Sequence, residues 1–345
     1  MTLSRRHFIQ STAIAAATAA PLGFPSIVRA ADAKEFRLGL ITPAGHSWNR
    51  AALQFGEALK KETDGRLSVT VFHSGQLGNE TAMMQQLQSG ALDMGWIQAA
   101  ELGSRVSSVA AINAPYLVRS TPAVAKLVKT PAALKLLEVL PRETGTIGLG
   151  WGITGMRAVF ATKDISAPTD LKGMKLRVVG SPLFSDIFTA LGANPTQMSW
   201  ADAQPALSSG AVDGQENPMS VFTAAKMHTI GQKHVTMWGY VADPLVFVVN
   251  KEVWASWTPA DQAIVRQAAI DAGKEEIAIA RKGLIEADKP LLKEIAALGV
   301  TITELTPAER EAFVKATRPV YDKWKSQIGA DLVNTAEKSI AARKK

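Results

Sequence analysis

The sequence predicts an α/β protein of two lobes, each a mostly parallel sheet flanked by helices, and three observations carry that prediction. Strand and helix patterns alternate as βαβαβ over residues 35–97, the arrangement that builds a parallel sheet. The phrase Leu87-Gln-Ser-Gly-Ala-Leu-Asp93 returns as Leu207-Ser-Ser-Gly-Ala-Val-Asp213. In both places a helix closes on glycine before a strand starts, so the first unit has a similar second copy and a cleft lies between the two. The stretch from Pro259 to Leu298 is almost wholly helical in propensity, long enough to brace both lobes, and further helices follow from Pro307 to Arg343.

The first thirty residues read as a targeting segment. Ser4-Arg-Arg-His-Phe-Ile9 fits the twin-arginine export pattern, Ser11 to Ala20 is a weakly apolar run, and Val28-Arg-Ala30 is a small-residue cleavage site. The run is too short and too alanine-rich to span a bilayer, which disfavours an anchoring helix. The mature chain is expected in the periplasm.

Glu35 to Ile41 reads as the first strand, and Ser47 to Thr63 as a helix with Ala51, Phe55, Ala58 and Leu59 on one face. Arg66 to Phe72 alternates as a second strand, Asn79 to Gln88 is helical, and Ala91 to Ile97 is a third strand. Thr146 to Thr162 lies between the lobes. Its Gly150-Trp-Gly-Ile-Thr-Gly155 matches a dinucleotide fingerprint in form, but Met156 to Ala161 is β-type where that motif needs a helix. A glycine-loosened crossover strand, usable as a hinge, is the better reading. Leu245 to Asn250 is another strand. Thr258-Pro-Ala-Asp261 and Thr306-Pro-Ala-Glu309 each open a helix with a cap, a proline and an acid. The lobes are expected over residues 31–154 with 243–282, and 155–242 with 283–345.

Composition excludes several classes. The formal charge of +7 falls to +4 once Arg5, Arg6 and Arg29 leave with the targeting segment, a mild excess that does not argue for nucleic acid. No cysteine means no disulfide, thiolate metal site or catalytic thiol. There is no phosphate-binding loop, no HExxH and no complete nucleophile elbow, and His228 and His234 are wrongly spaced for ligands on one helical face. No cofactor or metal is expected, and nothing nominates catalytic residues.

What remains is arginine and amide chemistry near strand ends. Lys175 to Val179 is a short strand ending in Gly180-Ser181-Pro182, which places Arg177 near its carboxyl end, where open α/β sheets hold ligands. A guanidinium takes a carboxylate through two parallel charge-assisted hydrogen bonds. Arg177, Arg157 and Asn217 could together satisfy a buried carboxylate. Among the eight tryptophans, Trp48, Trp96, Trp151, Trp200 and Trp238 fall near predicted strand ends or cleft loops and could supply an apolar wall, whereas Trp254, Trp257 and Trp324 read as packing residues. The implied act is capture and release of an organic carboxylate.

These residues bring the mature chain to resemble a known family, the substrate-binding proteins of tripartite ATP-independent periplasmic (TRAP) transporters, of the dicarboxylate-binding type. The carriers are Phe72-His-Ser-Gly-Gln-Leu-Gly78, Leu87 to Asp93, Asp170 to Arg177 and, most specifically, Val212-Asp-Gly-Gln-Glu-Asn-Pro218. The resemblance implies a periplasmic-binding-protein clamshell, monomeric, that hands its ligand to small and large membrane subunits driven by an ion gradient. It implies Arg177 as the principal carboxylate partner, with Arg157, Asn217 and the flanking Trp200 beside it. In the first lobe it points to His46, Glu80 and Gln98, positions that vary with substrate. Trp238 completes the expected site. Two other readings stay open: a binding protein serving an ATP-driven importer or a sensor, and a periplasmic hydrolase.

Overall fold

The computed structural model describes residues 33–284, 289–328 and 330–341. The expected targeting segment lies outside them. In the first unit β1 (Lys34–Gly39), α1 (Ser47–Glu62), β2 (Leu67–Phe72), α2 (Glu80–Ser89) and β3 (Met94–Gln98) follow one another. β1 pairs in parallel with both β2 and β3, as the alternation required. The predicted face of α1 is the buried one, with Ala51, Phe55 and Leu59 inside. α2 starts at Asn79, whose side chain accepts the Ala82 N–H at 2.9 Å, and ends at Gly90, whose φ of 76° closes the last turn.

α3 (Ala99–Leu102) and the short helices α4 (Thr121–Leu127), α5 (Pro131–Lys135) and α6 (Leu140–Glu143) lead to β4 (Thr146–Ala161). This sixteen-residue strand serves two sheets. Its first part pairs with β9 (Ala242–Asn250), which also pairs antiparallel with β3. Beyond a register break between Ile153 and Met156, where Gly155 takes φ 132°, it turns to the second unit. That unit comprises β5 (Lys175–Val178), α7 (Pro182–Ala190), β6 (Asn194–Gln197), α8 (Trp200–Ser208), β7 (Gly214–Pro218), α9 (Met219–Ala224) and β8 (His234–Met237). β5 runs parallel to β6 and β7, while β4 is antiparallel to β7 and β8. The formal fingerprint at Gly150–Gly155 is strand throughout.

The repeated phrase is a repeated structure. Gly210 (φ 73°) closes α8 as Gly90 closes α2. Asp93 Oδ2 accepts the backbone N–H of Arg37 at 2.7 Å, and Asp213 Oδ2 accepts that of Lys175 at 2.8 Å. Each aspartate thus ties its own strand to the neighbouring parallel strand, in β1 and β5 respectively.

After β9 come α10 (Lys251–Ala255), α11 (Pro259–Arg281), α12 (Pro290–Ala297), β10 (Thr301–Glu304), which pairs with β8, then α13 (Pro307–Ile328) and α14 (Ala330–Ala341). Thr258 and Thr306 accept the N–H groups of Asp261 and Glu309, as predicted. α11 packs on α1 and β4, whereas α13 touches both α7 and the 3-10 turn Ser107–Asn113. Leu292 and Ile295 of α12 share a core with Phe160 and Leu207 of the second unit, so the run from Pro259 to Leu298 reaches both units as expected, and α13 adds a second bridge. β9 begins three residues earlier than predicted and runs through Pro244. The proline faces Ile153 at the register break, where a residue without a backbone N–H disturbs the ladder least.

Candidate functional site

Every predicted first-unit position stands at the carboxyl end of a parallel strand. His46 follows β1 and caps α1, its Nδ1 accepting the Trp48 N–H at 3.2 Å. Burial pushes this imidazole down to about 3, so it stays neutral, and its Nε2 meets no protein partner. Glu80 follows β2; its Oε1 accepts the Gln98 N–H at 3.0 Å at the end of β3. The Gln98 side-chain oxygen is buried and unpartnered.

Arg177 comes from β5, where Leu176 and Val178 face the core on either side of it. The residue is 3% exposed, and its guanidinium donates from Nε to the Met198 carbonyl at 2.9 Å and lies 5.9 Å from the centre of the Trp200 ring. NH1 is buried without a partner, and Arg177 joins no ion pair within 4.0 Å among the described residues. Burial lowers its pKa to about 10, although the charge of Glu216 works the other way. Arg177 lines a cavity of about 160 Å³ with Glu80, Glu101, Gly180 and Trp200. Through Ile41, Asn79, Ser199 and Trp200 this chamber adjoins a wider space of about 460 Å³.

The carboxyls facing Arg177 are held off their usual range. Burial, reinforced by the charge of Glu101, pushes Glu80 up to about 8, and burial also raises Glu101. A chamber so lined offers one free cationic donor and a carboxyl that carries its proton near neutrality.

Arg157 is placed differently from the sequence expectation. It is fully buried, and each nitrogen is engaged: Nε with Glu216, NH1 with Asp243 at 2.7 Å, and NH2 with the Glu216 carbonyl at 2.7 Å, the Glu216 carboxylate at 2.8 Å and Asn217 Oδ1 at 3.2 Å. The Tyr240 hydroxyl donates to the same Glu216 at 2.6 Å. The fork expected for a ligand is taken by protein carboxylates, because β4 and β7 pair side by side and bring Glu216 against it. Asn217 spends its amide on Arg157 and on Gln215, at 2.8 Å.

Of the tryptophans named from sequence, Trp200 lines both cavities. Trp238 lines neither; it is fully buried against Phe188, Tyr240 and Phe313. Trp96 stacks on Phe247 at 4.1 Å, and Trp48 Nε1 donates to Thr154 at 2.7 Å, tying α1 to the register break in β4. Trp151 lines a separate groove beside α11. Sequence reasoning missed Glu101, three residues past the end of β3, although its place just beyond a strand's carboxyl end was the available signal. It also missed Glu276, which accepts from Ser47 (3.1 Å) and Ile153 and whose pKa burial pushes up to about 8.

Known proteins share this frame. The family model described as bacterial extracellular solute-binding protein, family 7 (DctP) matches residues 38–327. A TRAP periplasmic solute binding protein from Ralstonia eutropha H16, solved with bound (S)-2-acetolactate, is 49% identical with a TM-score of 0.85, over 89% of this chain and 99% of that one. The C4-dicarboxylate-binding periplasmic protein DctP of Rhodobacter capsulatus is 30% identical over 87% of this chain and 88% of its own length. The uncharacterized protein y4mM of Sinorhizobium fredii is 30% identical over 95% of this chain, which spans 59% of that protein's length.

Proposed function

The chain belongs to the bacterial extracellular solute-binding protein family 7, and from that premise we propose that it captures a small organic carboxylate between its two lobes and delivers it to a TRAP transporter for uptake. The observation that carries the reading is Arg177: a buried guanidinium at a strand's carboxyl end, one nitrogen unpartnered, aimed into a small chamber. An orphaned buried donor costs about 1–3 kcal/mol, and an arriving carboxylate removes that cost. Arg177 is thus the carboxylate's partner and Trp200 its apolar neighbour. Arg157 and Asn217 act from behind, holding the end of β7 in place.

His46 Nε2 and the Gln98 oxygen are two further buried atoms without partners, one a donor and one an acceptor. Glu80, protonated, is a third group able to donate. That set suits a hydroxy or keto acid, and the Ralstonia protein holds such a compound. The lobes divide at residues 154/155 and 242/243, at the β4 register break and the start of β9, and the glycine there serves as the hinge. The mature protein acts as a monomer in the periplasm, with small and large membrane subunits as partners, and releases its ligand unchanged.

A thermal-shift screen tests this with acetolactate, lactate, pyruvate, malate and succinate. Raised melting by at least one acid, lost in Arg177→Ala, is the expected result, with the acid recovered intact by mass spectrometry. Stabilisation that survives in Arg177→Ala would overturn the site, and conversion of the acid would overturn the binding role.

A further inference from the structure

We propose that Glu101 is the positioning residue that latches the two lobes together, its carboxylate reaching from the first lobe across the cleft to the Gly180 backbone in the second. This latch rests on the two-lobed reading above and on a close contact between Glu101 and Gly180. Glu101 sits in α3, directly after β3, and Gly180 sits between β5 and α7. A Cβ built on Gly180 would lie 2.7 Å from Glu101 Oε2 and 2.9 Å from Oε1, closer than real Cβ atoms come to anything. Gly180 is not among the residues with positive φ, so no turn geometry demands glycine there. The space a side chain would fill there is held by the opposite lobe's carboxylate, which a methyl group would push aside and so break the contact.

Chemistry makes the approach favourable. Gly180 leads into α7, a nine-residue helix whose N-cap, Ser181, makes no side-chain cap bond, so the positive end of that helix lacks a partner from its own segment. Glu101 brings a carboxylate from the other lobe to Gly180, the residue just before that cap. Thr81 secures the carboxylate from its own side, its hydroxyl donating to Oε1 at 3.2 Å. The Thr81 hydroxyl, the charge of Arg177 and the Gly180 amide each pull the carboxyl's pKa down against the burial that raises it. No cation lies within 4.0 Å of Glu101 among the described residues, so the contact is with the second lobe's backbone and not with a competing ion pair.

The latch closes at the wall of the chamber that Arg177 also lines. Closure without ligand then has a favourable contact of its own, and the affinity for a carboxylate includes it, because a ligand that binds the closed form gains from whatever already populates that form.

The chain has no cysteine, so Glu57→Cys with Ser209→Cys carries one spin label on each lobe at exposed sites. Double electron–electron resonance on the ligand-free protein should show a short-distance population that shrinks in Glu101→Ala and in Gly180→Ala. The decisive arm is the pair: Gly180→Ala should change nothing further in the Glu101→Ala background, because the oxygens its methyl would strike are gone. Glu101→Gln, which keeps the volume and loses the charge, should fall between, with all variants equally folded by circular dichroism. Affinity for acetolactate should drop about tenfold in each single variant and no more in the double. Unchanged distances in the single variants, or a Gly180→Ala effect independent of residue 101, overturns the latch. The distance arm needs no ligand, so it decides even if the acid is wrong.

Discussion

Replacing Arg177 with methionine separates binding from stability in a way few site mutations can. The guanidinium is buried, with Nε on the Met198 carbonyl at 2.9 Å and NH1 unpartnered. Without ligand, the substitution removes an orphaned donor worth about 1–3 kcal/mol of penalty and sacrifices one carbonyl bond worth about 1 kcal/mol, while an apolar chain fills much of the volume. Ligand-free stability should therefore stay within about 1 kcal/mol of the parent or rise. The bound state loses two charge-assisted hydrogen bonds at about 1.5–3 kcal/mol each, so affinity should fall by about 10²- to 10⁴-fold. Arg177→Lys, which keeps charge without the planar fork, should recover part of the loss. Titration calorimetry measures the affinity, and urea unfolding of the ligand-free protein measures stability. A dissociation constant within about threefold of the parent, or a ligand-free loss above about 3 kcal/mol, would refute the reasoning.

Two other outcomes follow from groups away from the ligand. Glu276 is a buried carboxyl held at about 8 against an ordinary 4.5. The folded state keeps this proton where the unfolded chain has released it, so its stabilising contribution is lost as pH rises from 4.5 to 8, by up to about 1.4 kcal/mol per pH unit. Glu80 adds a slope of the same sign, so Glu276→Gln, which imitates the protonated acid, should flatten the decline between pH 5.5 and 7.5 without abolishing it. A variant slope as steep as the parent's in urea titrations would count against this. In α11, a Cβ on Gly273 would stand 2.8 Å from the Trp151 carbonyl oxygen. Backbone in β4 cannot yield as a side chain does, so Gly273→Ala should cost about 1–3 kcal/mol despite its gain in helix propensity, and calorimetric melting checks it.

By itself the sequence determined the alternation of strands and helices, the helix starts at Asn79, Thr258 and Thr306, and the doubled unit, because these depend on periodicity, caps and glycines that act over a few residues. It also marked Arg177, since a strand-end position is a local property. Short edge elements escaped it: β6 is Asn-Pro-Thr-Gln, four residues with no alternation to detect. Which polar groups meet was settled by packing between remote segments. Arg157 and Arg177 look alike as strand arginines, yet β7 brings Glu216 against the first and leaves the second facing a chamber. Glu101 and Gly180, far apart in the chain, stand side by side in the fold. Partnership in a low-dielectric interior is set by distances of a few ångström between segments remote in sequence, and no local pattern carries that information.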